Sequence, residues 1–382
     1  MAKIRQIFLL IFCLLLFSCQ KEKKLKLGAE RTESYLSLLK KKKVAVVGNQ
    51  TSMIGSTHLV DSLLNLGIDV VKVFSPEHGF RGKADAGAKI ENGIDLKSGL
   101  PIISLYGKNK KLYSKQLEGI DILLFDIQDV GARFYTYIST LHYVMEAAAE
   151  SNIKVIVLDR PNPNGHYIDG PIRENGFKSF VGMHPVPIVH GMTIGEYAKM
   201  INGEDWISRK CNLTIIEIAN YTHNTNYDLP IKPSPNLPNT RSINLYPSLC
   251  LFEGTTISIG RGTDYPFQHF GAPYLESNYS FTPKSGVGSR YPKYEDKECF
   301  GIDLRSQDNH LKEINLNWLI EAYKNCPEKN NFFNNFFDKL AGSDKLRLQI
   351  IEGKSPERIK ASWKDEILRF KETRAKYLIY KQ

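Results

Sequence analysis

Five short apolar runs in the first half of this 382-residue chain each stop abruptly at polar residues. Val44 to Val47 meets Gly48-Asn49-Gln50, and Val70 to Phe74 meets Ser75-Pro76-Glu77-His78-Gly79. Ile102-Ile103 leads to Ser104-Leu105-Tyr106-Gly107, and Ile122 to Phe125 leads to Asp126-Ile127-Gln128-Asp129. Val155 to Leu158 runs into Asp159-Arg160-Pro161-Asn162. Aliphatic runs without polar alternation suit strands buried on both faces of a parallel sheet. Ligands of such sheets sit beyond the carboxyl ends of the strands. The five polar clusters are therefore expected to converge on one site in an α/β domain.

Helical spacing between these runs supports the same reading. It predicts helices from Ser34 to Lys41, from His58 to Leu66, from Leu112 to Leu117 and, most clearly, from Tyr135 to Glu150. Thr193 and Glu196 form a capping-box pattern that opens a helix through Met200. Leu213 to Ile218 reads as a further strand. Five prolines between Tyr227 and Pro247 predict an ordered connector without regular structure. Beyond it, Leu249 to Phe252, Thr255 to Ile259, a strand from Leu346 to Ile351 and a charged closing helix from Ser355 to Tyr380 predict a smaller α+β domain. The expected boundaries are 34–240 for the sheet domain and 241–382 for the smaller one.

The first residues stand outside that fold. Lys3 and Arg5 precede an apolar stretch from Ile7 to Phe17, the pattern of a signal peptide over residues 1–18 and too short to span a bilayer as a helix. The Leu16-Phe17-Ser18-Cys19 junction resembles a bacterial lipobox, with Phe17 departing from its strictest form. Cleavage there places lipid on Cys19 and leaves residues 19–33 as a tether; the alternatives are an ordinary signal peptide or an uncleaved anchor. The expected location is a bacterial membrane surface, on the periplasmic or cell-surface side. Residues 1–27 hold six Lys/Arg and one Glu, so half of the formal net charge of +10 lies there. The remaining body is of mixed sign with no basic stripe, which argues against nucleic acid. Cys211, Cys250, Cys299 and Cys326 are widely spaced with no CxxC pair, which argues against zinc or redox motifs. An exported protein permits a disulfide among them, and buried free thiols are the alternative.

Pro76-Glu77-His78-Gly79-Phe80-Arg81-Gly82 is the segment richest in chemistry. It sets a carboxylate and an imidazole just past a buried strand, where Phe74 and Phe80 could desolvate Glu77 and suit it to general acid catalysis. The plainer reading is a helix cap or a Glu77–Arg81 pair. The turn from Asp126 to Tyr137 packs Asp126, Gln128, Asp129, Arg133, Tyr135 and Tyr137 together, groups able to bind hydroxyls and stack on a ring; a local Asp129–Arg133 pair is the structural alternative. Asp159, Arg160 and Asn162 lie on a proline-stiffened loop, and turn formation alone would also explain them. His190 could cap, pack or act. Glu253 offers a second carboxylate and Arg261 an anion clamp, or the two simply make salt bridges. The chain has no GxSxG elbow, GxxxxGKS phosphate loop, HExxH helix or GxGxxG turn after its first strand. A carboxylate-based hydrolase gains from these absences.

PEHGFRG, SLYG, DIQDVGARFYTYI, VLDRPNPNG, HGMTIGE, SPNLP, LFEGT and GRGT, in this order, resemble the NamZ exo-β-N-acetylmuramidases. The resemblance runs from about Gly48 to Gly271 and returns at Lys376-Tyr377-Leu378-Ile379-Tyr380; about Tyr274 to Asp338 matches weakly. It implies a Rossmann-like N-terminal domain, a smaller C-terminal domain and a cleft between them. It also implies release of N-acetylmuramic acid from the non-reducing ends of peptidoglycan fragments. Glu77 matches the glutamate proposed as the family's proton donor. Asp126, Asp129 and Glu253 are the candidates for a second catalytic role, and the separation of two carboxylates would report retention or inversion. Arg81, Arg133 or Arg261 is expected to hold the lactyl carboxylate. Asn49, His78, Tyr106, Gln128, Tyr135, Asp159, Arg160, Asn162, His190 and Asn236 complete the expected substrate contacts. No metal or organic cofactor is implied. The expected partners are muramic-acid-terminated saccharides and a membrane through the lipid. Two rivals stand beside this reading: another cell-wall hydrolase, such as an amidase or deacetylase using His78 or His190, and a glycan-binding surface lipoprotein without catalysis.

Overall fold

In the computed structural model, residues 24–77, 79–81, 92–107, 110–306 and 310–381 are described. The signal segment, Cys19, His78 and most of the loop after Arg81 lie outside the described residues.

Seven strands form the main sheet: β1 Val44–Gly48, β2 Val70–Ser75, β3 Gly93–Ile94, β4 Pro101–Ser104, β5 Ile122–Asp126, β6 Lys154–Leu158 and β7 Leu213–Ile216. Their spatial order is β3-β4-β2-β1-β5-β6-β7, all parallel except the antiparallel edge strand β3. The apolar runs have a simple cause. Ala45, Val47, Leu123, Phe125, Val155 and Val157 point into one core, and Val44, Val46, Ile122, Leu124, Ile156 and Leu158 into another on the opposite face. Helices Tyr137–Glu150 and Ile194–Gly203 cover the first face; Leu59–Asn65 and the short helix Leu36–Leu39 contribute to the second. Both faces are dry, so polar alternation has no place in the central strands. The capping box at Thr193 is present, with the Thr193 side chain accepting from Glu196 N.

The C-terminal region carries an antiparallel sheet, with β8 His269–Ala272 and β9 Tyr279–Phe281 flanking β10 Cys299–Asp303, and a series of short helices. The α/β class and the smaller second region match the sequence reading. Three local expectations do not hold. Residues 345–351 form a helix, not a strand. Leu346 and Ile350 are buried while Leu348 is exposed, so the alternating apolar pattern serves an i, i+4 face built from strong helix formers. The proline-rich connector ends in helix Thr240–Leu249, capped by Asn239, with Pro247 inside it. Pro247 has no N–H for the Ile243 carbonyl, and Asn164 Nδ2 donates to that carbonyl instead, at 3.1 Å. The closing helix is two helices, Pro356–Ser362 and Lys364–Ala375, parted at buried Trp363, whose Nε1 donates to Asp169 Oδ1 at 3.2 Å.

The two regions are joined through buried polar bonds. Arg133 donates from Nη1 to the Pro171 and Val186 carbonyls and from Nη2 to those of Leu340 and Ala341, all at 2.7–2.8 Å. The latter two end helix Phe337–Ala341, where a cation suits the helix dipole. Gly342 follows with φ +84°, and a Cβ there would lie 2.7 Å from Arg133 Nη2. Tyr380 returns the chain terminus to the sheet, donating from its hydroxyl to Asp159 Oδ2 at 2.6 Å. All four body cysteines are free and buried.

Candidate active site

The parallel register sets which side chains meet beyond the strands. Ser75 at the end of β2 pairs with Ser104 at the end of β4. Two residues past each serine come Glu77 and Tyr106, and the Tyr106 hydroxyl donates to Glu77 Oε1 at 2.9 Å. A tight turn closed by Gly79 N donating to the Pro76 carbonyl, at 3.2 Å, carries Glu77 out from the sheet edge.

Glu77 lines a hollow of about 440 Å³, including its open mouth, with Phe134, Tyr135, Thr136, Tyr137, Ser234, Asn236, Leu237, Tyr246, Arg261 and Phe267. Five stretches of chain converge there: the turn after β2, the turn after β5, the proline connector, helix Thr240–Leu249 and the loop before β8. Four aromatic rings form one wall in edge-to-face contacts centred on Tyr246, whose ring lies 5.3 Å from Phe134, 5.7 Å from Tyr135 and 5.0 Å from Phe267. The Tyr135 hydroxyl donates to the Pro233 carbonyl at 2.8 Å, and the Tyr137 oxygen accepts from Asn49 Nδ2 at 2.9 Å. Burial, with nearby Glu77 adding to it, pushes the Tyr106 and Tyr137 phenols upward, so both remain hydrogen-bond donors at neutral pH. Arg261 lies 5.1 Å over the Phe267 ring, and its Nε and Nη2 donate to Glu253 Oε1. Among the described residues that line the hollow, Glu77 is the one acid and Arg261 the one permanent cation.

Of the expected site residues, Glu77, Tyr135, Asn236 and Arg261 line this hollow; Tyr106 and Asn49 hold two of its groups from behind. His78 lies outside the described residues, and the others are placed elsewhere. Arg81 is held by two carboxylates, with Nε and Nη2 on Asp95 at 2.7 and 2.6 Å and Nη1 and Nη2 on Asp61 at 3.3 and 3.0 Å. It pairs with neither Glu77 nor a cleft. Arg133 is spent on four carbonyls, and burial lowers it to about 9. It therefore makes no pair with Asp129. Asp126 receives Arg160 Nε at 2.6 Å and Nη2 at 2.9 Å in a buried ion pair. Glu253 is the partner that orients Arg261 and does not line the hollow.

Gln128 bridges the Asp129 and Pro161 carbonyls through Nε2 at 2.8 and 2.7 Å. Asp159 accepts from Arg160 N, Gly195 N, Thr193 Oγ1 and Tyr380, tying the start of one helix and the chain end to β6. Asn162 donates to the Met192 carbonyl and accepts from Asn164 N within its loop. Asp129 and His190 are buried, with Oδ2 and Nε2 3.9 Å apart. Asp129 Oδ2 accepts from Gly131 N at 2.7 Å, whereas Oδ1 and His190 Nε2 have no partner among the described residues. Burial raises Asp129 to about 7 and, with the Arg374 and Arg133 cations nearby, lowers His190 to about 3. Sequence reasoning missed Tyr246, Phe267 and Ser234 as walls of the hollow. SPNLP pointed at the segment of Ser234, but nothing separates Tyr246 or Phe267 from ordinary core aromatics in the sequence.

Two family models cover nearly all of the chain: exo-beta-N-acetylmuramidase NamZ, N-terminal, over residues 44–241, and exo-beta-N-acetylmuramidase NamZ, C-terminal, over residues 244–380. The peptidoglycan beta-N-acetylmuramidase NamZ of Bacillus subtilis (strain 168) is 40% identical over 377 residues, covering 91% of this chain and 89% of that protein. The crystal structure of a DUF1343 family protein from Bacteroides fragilis NCTC 9343 superposes with a TM-score of 0.88 at 49% identity, covering 94% of this chain and all of the other. A second DUF1343 protein of that organism gives 0.82 at 30% identity, covering 94% and 99%.

Proposed function

The chain belongs to the NamZ exo-β-N-acetylmuramidase family of glycoside hydrolases, and from that premise we propose how its own residues carry out the reaction on peptidoglycan. The substrate is a saccharide ending in N-acetylmuramic acid at its non-reducing end, and the terminal sugar occupies the Glu77 hollow. Glu77 protonates the glycosidic oxygen as the bond to the anomeric carbon breaks. The substrate's own acetamido oxygen or a water then attacks that carbon. This reading gives the second role to neither Asp126 nor Glu253, which are held in ion pairs, nor to Asp129, which is buried away from the hollow.

The observation that carries the reading is the meeting of Glu77, Arg261 and an aromatic wall around one open hollow. Muramic acid differs from other amino sugars by its lactyl carboxylate. Glu253 engages Arg261 through Nε and Nη2, leaving the Nη1 donors for that group. Tyr106 holds the Glu77 carboxyl, and its hydroxyl stabilises the charge left on Glu77 once the proton has gone. The direct test is incubation with a muramic-acid-terminated disaccharide. Free N-acetylmuramic acid is expected from the native chain, and a loss of about 100- to 10,000-fold from Glu77→Gln with its fold intact. Near-native turnover by that variant refutes the assignment.

An amidase or deacetylase built on His190 finds no support, since that ring is buried and does not line the hollow. We further propose export and anchoring through lipid on Cys19. Cys19→Ala should move the protein from the membrane to the soluble fraction; an unchanged distribution removes the anchor from the account.

A further inference from the structure

A second concavity begins where the sugar hollow ends. Arg261 lines the hollow, and the residues that follow it, Gly262 to Tyr265, line a groove along the small antiparallel sheet. A second link runs through Asn236 of the hollow, whose Nδ2 donates to the Gly288 carbonyl at 2.7 Å. Gly288 has φ +84°, and a Cβ there would lie 2.8 Å from Pro235 Cβ, so this close approach requires glycine. Residues 284–287, just before that contact, form another wall of the groove. The two concavities therefore share a rim made of Arg261–Gly262 and Asn236–Gly288.

The groove holds about 1240 Å³ including its open side, far more than the hollow. Its aromatic floor is held in place by its own contacts. Phe281 stacks on His269 at 4.0 Å, and the Tyr279 hydroxyl bonds to His269 Nδ1 at 2.7 Å. Arg305, clamped by Asp303 through Nε and Nη2, lies 4.4 Å over the Tyr265 ring and 5.8 Å over Tyr279. Tyr265 is nevertheless 41% exposed and Val287 90% exposed, apolar surface that intramolecular packing does not account for. Fixed aromatic rings interleaved with the hydroxyls of Thr263, Ser280, Thr282 and Ser285 suit the apolar faces and equatorial hydroxyls of sugar rings.

We propose that this groove holds the saccharide chain on the leaving-group side of the scissile bond, while the terminal sugar fills the Glu77 hollow. The proposal rests on the exo-muramidase reading. A hollow for one terminal sugar leaves the rest of a glycan strand outside, and the shared rim leads it onto Tyr265 and Val287. The groove would make the enzyme favour strands over short glycosides.

The test compares the full chain with Tyr265→Ala and Val287→Asp on two substrates: muramic acid linked to a small chromogenic aglycone, and a peptide-free strand of several disaccharides. Both changes lie at exposed positions, and Val287→Asp also adds charge facing the lactyl carboxylates of the strand. Each variant is expected to raise KM for the strand about 2- to 13-fold, the range of one aromatic contact, with KM and kcat on the small glycoside within about twofold of native. An unchanged strand KM in both variants overturns the proposal, as does an equal change on both substrates. Inactivity of the unmodified chain on the small glycoside is a different failure, since it removes the muramidase reading and this inference with it.

Discussion

Tyr106→Phe isolates the contact on which the catalytic proposal turns. The substitution removes one oxygen and leaves the ring, so the wall beside Glu77 keeps its shape. The lost bond, at 2.9 Å, is of ordinary length and partly buried. Its energetic weight differs between the two states of Glu77. Before proton transfer the phenol meets a neutral acid; afterwards it meets a carboxylate. A hydrogen bond to a charged partner contributes about 1.5–3 kcal/mol and a neutral one about 1. The difference, about 0.5–2 kcal/mol, is the part expressed only as the proton leaves, and it corresponds to a fall in kcat of about 2- to 30-fold. KM should stay within about threefold, because the sugar's other walls are untouched. Initial rates of muramic acid release over a range of disaccharide concentrations, with circular dichroism to establish the fold, provide the measurement. A native kcat in a folded Tyr106→Phe protein would show that Glu77 does not build charge against this phenol, and the proton-donor role would lose its support.

Arg261→Met should raise KM for muramic-acid substrates by about 10- to 150-fold, the weight of one charge-assisted hydrogen bond of about 1.5–3 kcal/mol, with little change on substrates lacking the lactyl group; equal losses on both would place the lactyl carboxylate elsewhere. Arg133→Met takes a donor from four buried carbonyls, of which Val186 keeps Arg173 N, and should cost about 1–3 kcal/mol, the penalty of unsatisfied buried acceptors, seen as a lower urea midpoint. A loss below about 1 kcal/mol would show that those carbonyls find other partners. Asp129 sets a pH dependence. Its folded value, about 7, lies above that of an unfolded aspartate, so the native state holds the extra proton between them. Its contribution is complete below about pH 4 and is lost as pH rises through about 7, by up to about 1.4 kcal/mol per pH unit. Asp129→Asn should therefore gain on the native protein in urea denaturation between pH 5 and pH 8, and a pH-independent difference would contradict the buried, neutral carboxyl.

The central strands of the main sheet were legible because burial on both faces is written directly into composition: no polar residue can alternate along β1, β5 or β6, whereas the exposed edge strand β3 carries no such signal and was not foreseen. The position of Glu77 was legible for the same reason, since a polar cluster after such a strand must lie at the sheet's carboxyl edge. Short-range signals also survived, as the capping box at Thr193 shows. Other local patterns were ambiguous. Leu346 and Ile350 suit a strand face and an i, i+4 helix face alike, and only the neighbours against which they pack decide between them.

Charged residues near the expected site looked equivalent in the sequence: Asp126, Asp129, Glu253, Arg81, Arg133 and Arg261 all follow or neighbour apolar runs. Their roles depend on partners that the chain brings from afar. Arg133 meets carbonyls about 208 residues away, and Asp126 meets Arg160 34 residues on. A carboxylate paired in a dry interior and one at the edge of a hollow read the same until folding assigns each its neighbours. The sequence by itself determined the parallel sheet, its carboxyl edge and Glu77's place there, because hydrophobic burial acts residue by residue. Tertiary structure alone decided which acid and which cation share the hollow, because electrostatic and hydrogen-bond roles belong to pairs of groups and pairing is a matter of distance in space.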